Sequence, residues 1–159
     1  MNKQIIFRTI QAMLAVCIVI LIQKCGGDDS VNAPGDSMSG TITYTSTNLR
    51  LTGGHYAVSF YADSSNPFSH PPLRSDSIAP GVGGGLASAY YKSTGFTTGN
   101  YYIASTWIRN DGVIHIIGGY QCDITPHCPA PSKVAFPNYA GTGALSFLSR
   151  TDPDSTIYP

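Results

Sequence analysis

The chain has 159 residues, with nine Lys and Arg against nine aspartates, no glutamate and a formal net charge of zero. Only 11% of the residues are charged and the cations are scattered, which excludes the basic patch of a nucleic-acid binder. Without glutamate, and with abundant Tyr, Thr, Val, Ile, Gly and Pro beyond residue 25, the composition favours strands and turns over helices.

The first predicted element is an export signal. Lys3 and Arg8 give a positive start, and residues 12–22 form an unbroken apolar run, the length of a secretory signal core. As a helix that run would span about 17 Å, short of the roughly 30 Å hydrocarbon layer of a bilayer. Cys25 follows it and is itself followed by Gly26, Gly27, Asp28 and Asp29. This arrangement resembles a bacterial lipoprotein signal, although Gln23 and Lys24 stand where the family usually carries small residues. The resemblance implies removal of residues 1–24 and lipidation of Cys25. With no aspartate directly after the cysteine, it also implies a lipid-anchored protein of the outer membrane, periplasmic or surface-exposed. Two or three acyl chains at about 0.8 kcal/mol per buried methylene anchor a small domain stably.

From Cys25 onward there are 135 residues with six cations and nine aspartates, a net charge of −3. Residues 25–39 hold Gly, Asp, Ser, Asn and Pro with little to bury, so they are expected to form a flexible tether. Residues 40–159 are expected to form one β domain. Its first strands are predicted at residues 40–45 and 56–61; in the second, Tyr56, Val58 and Phe60 alternate with Ala57, Ser59 and Tyr61, suggesting burial on one side. The Ser-, Pro- and Gly-rich residues 64–85 read as a long mobile loop. Residues 86–92 resume strand character. A hairpin follows, with one strand over 101–108, a turn at Arg109, Asn110, Asp111 and Gly112, and the return over 113–117. Both of its faces are apolar, which predicts a central position. Residues 133–136 and 144–148 complete seven strands, the number and spacing of a two-sheet sandwich.

The opening Gly40, Thr41, Ile42, Thr43 and Tyr44, the run from Gly99 to Ala104, and the late Gly118, Gly119 and Tyr120 resemble the carboxypeptidase-regulatory-like, transthyretin-like domains of bacterial surface lipoproteins. They fit other immunoglobulin-like sandwiches almost as well. The resemblance implies an adhesive, accessory or structural module and carries over no catalytic site.

Among residues with chemical potential, Cys122 and Cys128 enclose a proline-bearing loop beyond the export signal. They are expected to form a disulfide worth roughly 2 kcal/mol. The competing reading is a metal site of Cys122, His127 and Cys128, with His115. It matches no common zinc spacing, and neither metal nor cofactor is expected. No serine sits in a nucleophile elbow, and Asp63, Asp111, Asp123, Asp152 and Asp154 fall where turns use aspartate for local hydrogen bonds. The chain therefore reads as a non-enzymatic structural or interaction module of the envelope. Its partners are the membrane, through its lipid, and an envelope protein or a glycan. The alternative is a carbohydrate-binding module presenting Tyr91, Tyr102 or Trp107, with a small metal-binding domain the weakest reading.

Overall fold

A computed structural model describes residues 37–122, 132–137 and 145–154. The export signal, the Cys25 lipidation site, most of the tether, His127 and Cys128 lie outside the described residues. Nine strands occur among them: β1 (Ser37–Tyr44), β2 (Gly54–Ala62), β3 (Arg74–Ser77), β4 (Gly81–Gly83), β5 (Leu86–Thr94), β6 (Gly99–Arg109), β7 (Ile114–Gly119), β8 (Val134–Phe136) and β9 (Phe147–Ser149). The described fold is thus all-β but for one 3-10 turn at Pro67–Ser69. Hydrogen bonds link the strands in the order β3-β2-β6-β7-β9-β1-β5-β4, with β8 pairing to β6 off this path. Because β2 occupies one edge of β6 from Tyr101 to Arg109, β8 and β7 share the other, at residues 99–101 and 104–108.

The sheet curls until strands far apart in this order meet. Tyr44 of β1 lies edge-on to Tyr56 of β2 at 5.2 Å, Tyr56 to Trp107 of β6 at 4.8 Å, and Tyr91 of β5 to Phe60 of β2 at 6.3 Å. Each such pair adds about 0.5–1.5 kcal/mol to the burial of its area. Met38, Ile42, Val58, Ile103 and Ile117 belong to this main core, as do Phe136, Leu145 and Phe147. A second, smaller cluster of Tyr61, Phe68, Tyr102, Ala104, Ile116 and Cys122 packs on the opposite side of β2 and β6. The apolar alternation on both faces of β6 reports this double burial, as the sequence led one to expect.

Four expectations are corrected. There are nine described strands rather than seven. The tether does not extend to Ser39: β1 starts at Ser37, pairing residues 37–39 with Thr94, Ser93 and Lys92, and buries Met38 completely. The side chain of Met38 outweighs its polar neighbours. β2 is buried on both faces rather than one, since Ala57, Ser59 and Tyr61 are as enclosed as Val58 and Phe60. Residues 64–85 are not one loop, for they hold the 3-10 turn and the edge strands β3 and β4. β3 carries no apolar alternation because its bonds are polar. Ser75 shares a 2.7 Å hydrogen bond with Ser59, and Arg74 pairs with Asp76 at 2.7 Å while donating to the Thr94 carbonyl.

The 109–112 turn forms as expected, with the Gly112 N–H donating to the Arg109 carbonyl at 2.9 Å and Gly112 at φ 87°. A side chain would strain that position. The Asp111 carboxylate accepts from the Val113 N–H at 3.3 Å and pairs with Arg109 at 2.7 Å.

Candidate functional site

Every pairing along the sheet is antiparallel except that of β1 with β9, which run parallel with Ile42 opposite Phe147 and Tyr44 opposite Ser149. Adjacent parallel strands deliver their chains at the same end of the sheet. The segments that follow, residues 46–50 after β1 and 151–154 after β9, therefore leave side by side. The Thr45 N–H extends the pairing by one more bond, to the Ser149 carbonyl at 2.9 Å. Between the two segments lies an open cleft of about 540 Å³, lined by Ser46, Asn48, Leu49 and Arg50 on one wall and Thr151, Asp152 and Pro153 on the other.

The walls are joined from beneath by Tyr56. Its hydroxyl accepts a hydrogen bond from the Arg50 N–H at 3.0 Å and donates to the Thr151 carbonyl at 2.9 Å. Burial is the main reason this hydroxyl titrates above the usual tyrosine range, with the Arg50 N–H partly offsetting it and the Asp152 charge adding to it. Tyr56 therefore remains a phenol, and the clamp persists, across the physiological range. At the rim the Arg50 guanidinium pairs with Asp154 at 3.5 Å, with both side chains well exposed, so this pair contributes little to stability. Local bonds set each wall: the Ser46 hydroxyl accepts from the Asn48 N–H at 3.1 Å, and the Asp152 carboxylate from the Asp154 N–H at 2.9 Å. Leu49 packs against the main core and Pro153 is buried, giving the cleft an apolar part beneath a polar rim.

The aromatic residues expected to face a ligand do not do so. Tyr91, Tyr102 and Trp107 are only 3%, 6% and 1% exposed. Tyr91 is the inward member of its doublet and donates to the Leu145 carbonyl at 2.7 Å, while Tyr102 and Trp107 sit on a strand enclosed on both faces. Tyr90, the outward member, is 65% exposed and shares its face of β5 and β1 with Ser88 and Thr41.

Cys122 is disulfide-bonded, which removes its sulfur from the thiolate form that a metal site in this loop would need. His115 lies opposite Trp107 on β7. Among the described residues, no three His, Cys, Asp or Glu side chains come together. Of the aspartates, Asp111 and Asp152 make the local bonds expected of turn residues. Asp63 instead spans to Lys133 at 2.8 Å and Asn100 at 3.3 Å, and the bond from Lys133 is the chief reason its carboxyl is held below the ordinary carboxylate range. Asp123 lies outside the described residues.

The sequence reading missed Arg50, Asn48 and the clamp role of Tyr56. The available signal was the scarcity of charge: Arg50 is one of six cations from Cys25 onward, and it stands in a loop that no turn chemistry explains. No protein-family model matches the chain, and neither a curated protein nor a solved structure matches it.

Proposed function

We propose that the chain is a lipid-anchored cell-envelope protein whose β domain is a non-catalytic interaction module, with the cleft between residues 46–50 and 151–154 as its contact site. The anchor rests on Cys25 between an apolar run and a polar segment. The contact site rests on one observation: the buried Tyr56 hydroxyl ties both walls together, so that the cleft is formed before any partner arrives. Preorganisation of this kind lowers the ordering cost of binding. The curled sheet is read as a two-leaf sandwich, with β1, β4, β5 and β9 facing β2, β3, β6 and β7, supported by the ring contacts of Tyr44 with Tyr56 and Tyr91 with Phe60. The leaves join where Gly118 of β7 pairs with Ser149 of β9.

The test uses full-length protein in its native membranes. Its intact mass should lack residues 1–24 and carry acyl chains on Cys25. A photoreactive residue at Asn48, but not one at Lys92, should give a discrete adduct on intact cells. An unlipidated chain would overturn the anchor, and equal labelling from both positions would overturn the contact site.

A further inference from the structure

We propose that Ser77 is a site of O-glycosylation, with a neutral sugar joined to its hydroxyl in the cell envelope. The site lies on β3, outside the cleft, and draws on the proposed export of the chain.

The sequence carries the first observation. Five of the nine aspartates, Asp29, Asp36, Asp63, Asp76 and Asp154, are followed directly by serine. Serine makes up 17 of 159 residues, so chance would place it after about one aspartate in nine. In four of the five, the third residue is β-branched or methionine: Val31, Met38, Ile78 and Thr156. Only Asp63 departs, with Ser65 in third place. A tripeptide that recurs with no structural repeat around it has the form of an acceptor signal read by a modifying enzyme, as Asn-x-Ser or Asn-x-Thr is for N-linked sugars.

The structure separates Asp76 and Ser77 from turn chemistry. Aspartate is favoured in turns because its carboxylate bonds the backbone two residues on. Asp76 instead sits within β3, and its two carboxylate oxygens accept from Arg74 Nε at 2.7 and 2.8 Å. Ser77, the last residue of the strand, is exposed, and its hydroxyl has no hydrogen-bond partner among the described residues. β3 ends the strand order, with β2 as its paired neighbour. The Ile78 N–H donates to the Tyr56 carbonyl at 2.9 Å, so by the alternation of an antiparallel ladder the N–H and C=O of Ser77 point away from β2, toward the open side. A sugar on this hydroxyl displaces no contact of the fold. Ser64 supplies the contrast: it follows Asp63, lacks the third residue of the pattern, and its Oγ is buried. Ser37 is half-buried and already engaged, which leaves Ser77 as the described serine of the pattern with an open hydroxyl.

Charge selects a sugar over a phosphate. A phosphate would bring about −1.5 to −2 charges beside the Asp76 carboxylate, whose Arg74 partner is already shared with the Thr94 carbonyl. A neutral sugar adds bulk and hydroxyls without that repulsion. Only 11% of the residues are charged, so a glycan supplies solubility that charge does not, and on β3 it shields an open strand edge from pairing with another chain. In the transfer, the Ser77 Oγ bonds to the anomeric carbon of a sugar carried as a lipid-linked phosphate ester, while the bond from that carbon to the phosphate oxygen breaks. The serine proton passes to a base of the transferase and the lipid phosphate leaves, so no oxidant or reductant is needed.

The experiment is a peptide map of the full-length chain purified from the membranes of the cells that naturally make it. Trypsin cuts after Arg50, Arg74 and Lys92, which puts Ser77 in the peptide 75–92 and Ser64 in the peptide 51–74. Peptide 75–92 should carry sugar that electron-transfer fragmentation places on Ser77 and collisional fragmentation releases as oxonium ions, and peptide 51–74 should be unmodified. Ser77→Ala should abolish the added mass on 75–92, and Ser77→Thr should keep it; circular dichroism verifies that both variants are folded. An unmodified 75–92, sugar on Ser75 or Ser88 in place of Ser77, or phosphate on Ser77 overturns the proposal, and sugar on Ser64 overturns the tripeptide as its signal. The lipid on Cys25 and the adduct from Asn48 are read on other peptides, so the anchor, the contact site and the glycan can fail independently.

Discussion

Tyr56→Phe removes one oxygen atom and nothing else from the core. The ring keeps its edge contacts with Tyr44 at 5.2 Å and Trp107 at 4.8 Å, so no cavity larger than a hydroxyl forms. What is lost is the pair of hydrogen bonds joining the Arg50 N–H, at 3.0 Å, to the Thr151 carbonyl, at 2.9 Å. A net hydrogen bond is worth about 0.5–1.5 kcal/mol, and the buried Thr151 carbonyl is left without this donor, so the expected loss is about 2–3 kcal/mol. For a domain of this size that lowers Tm by about 10 °C. Urea unfolding measures the free energy, and hydrogen exchange at the Arg50 amide reports the clamp directly. The amide should exchange faster in the variant even under conditions where both proteins are folded. A loss below about 0.5 kcal/mol, with unchanged protection at Arg50, would refute the clamp. It would show that the backbone of the two strands alone holds the cleft walls together.

Gly118→Ala should destabilise by about 1–3 kcal/mol, because the new Cβ would lie 2.8 Å from both the Leu148 carbonyl oxygen and the Ser149 Cα; an unchanged urea midpoint would refute the close approach of β7 and β9. Tyr91→Phe should cost about 1 kcal/mol through its lost bond to the Leu145 carbonyl, whereas Tyr90→Ala should stay within about 0.5 kcal/mol, and the reverse order would refute the assignment of inward and outward faces on β5. Tyr44 and Tyr61 are fully enclosed, and burial raises the pKa of each well above the unfolded value near 10. Below pH 10 neither state ionises and these groups impose no pH dependence. Above it the unfolded chain loses its protons first, so stability should fall by about 1.4 kcal/mol per pH unit for each of the two. Urea midpoints that stay constant from pH 9 to 11 would contradict their enclosure.

The all-β class and the hairpin were legible because they are written in local signals: aromatic and aliphatic alternation over residues 101–108, and a Gly at the one turn position with positive φ. The double burial of β6 was legible for the same reason, since both of its faces are apolar. β3 was not, because an edge strand held by Ser75, Arg74 and Asp76 has the composition of a loop. Its identity comes from the open edge of β2, fifteen or so residues away. The doublet at Tyr90 and Tyr91 stated that one ring faces out, but not which one. That choice depends on the register of β5 against β1, where Gly40 lies opposite Tyr91 and leaves room for its inward hydroxyl to reach Leu145. The cleft was the least legible feature, because its walls are about 100 residues apart in the chain. Neither segment carries a motif, and only the parallel pairing of β1 with β9 brings them together.

That single parallel pair also fixes where the site lies relative to the chain's entry. β1 begins at Ser37, where the chain arriving from Cys25 joins the sheet, and runs eight residues to Tyr44. At about 3.3 Å per residue, the strand carries the chain roughly 25 Å before it opens into the first wall of the cleft. The second wall must appear at that same end, because β9 runs in the same direction. Had β9 paired antiparallel to β1, the segment 151–154 would have emerged at the entry end, and Arg50 would face no Asp152. An antiparallel neighbour of β1 returns its following loop to the end where β1 begins, and a parallel neighbour sends it to the other end. The topology thus puts the start of β1 and the cleft at opposite ends of one strand. A three-residue β9, held between Tyr44 on one side and Gly118 on the other, is sufficient to do so.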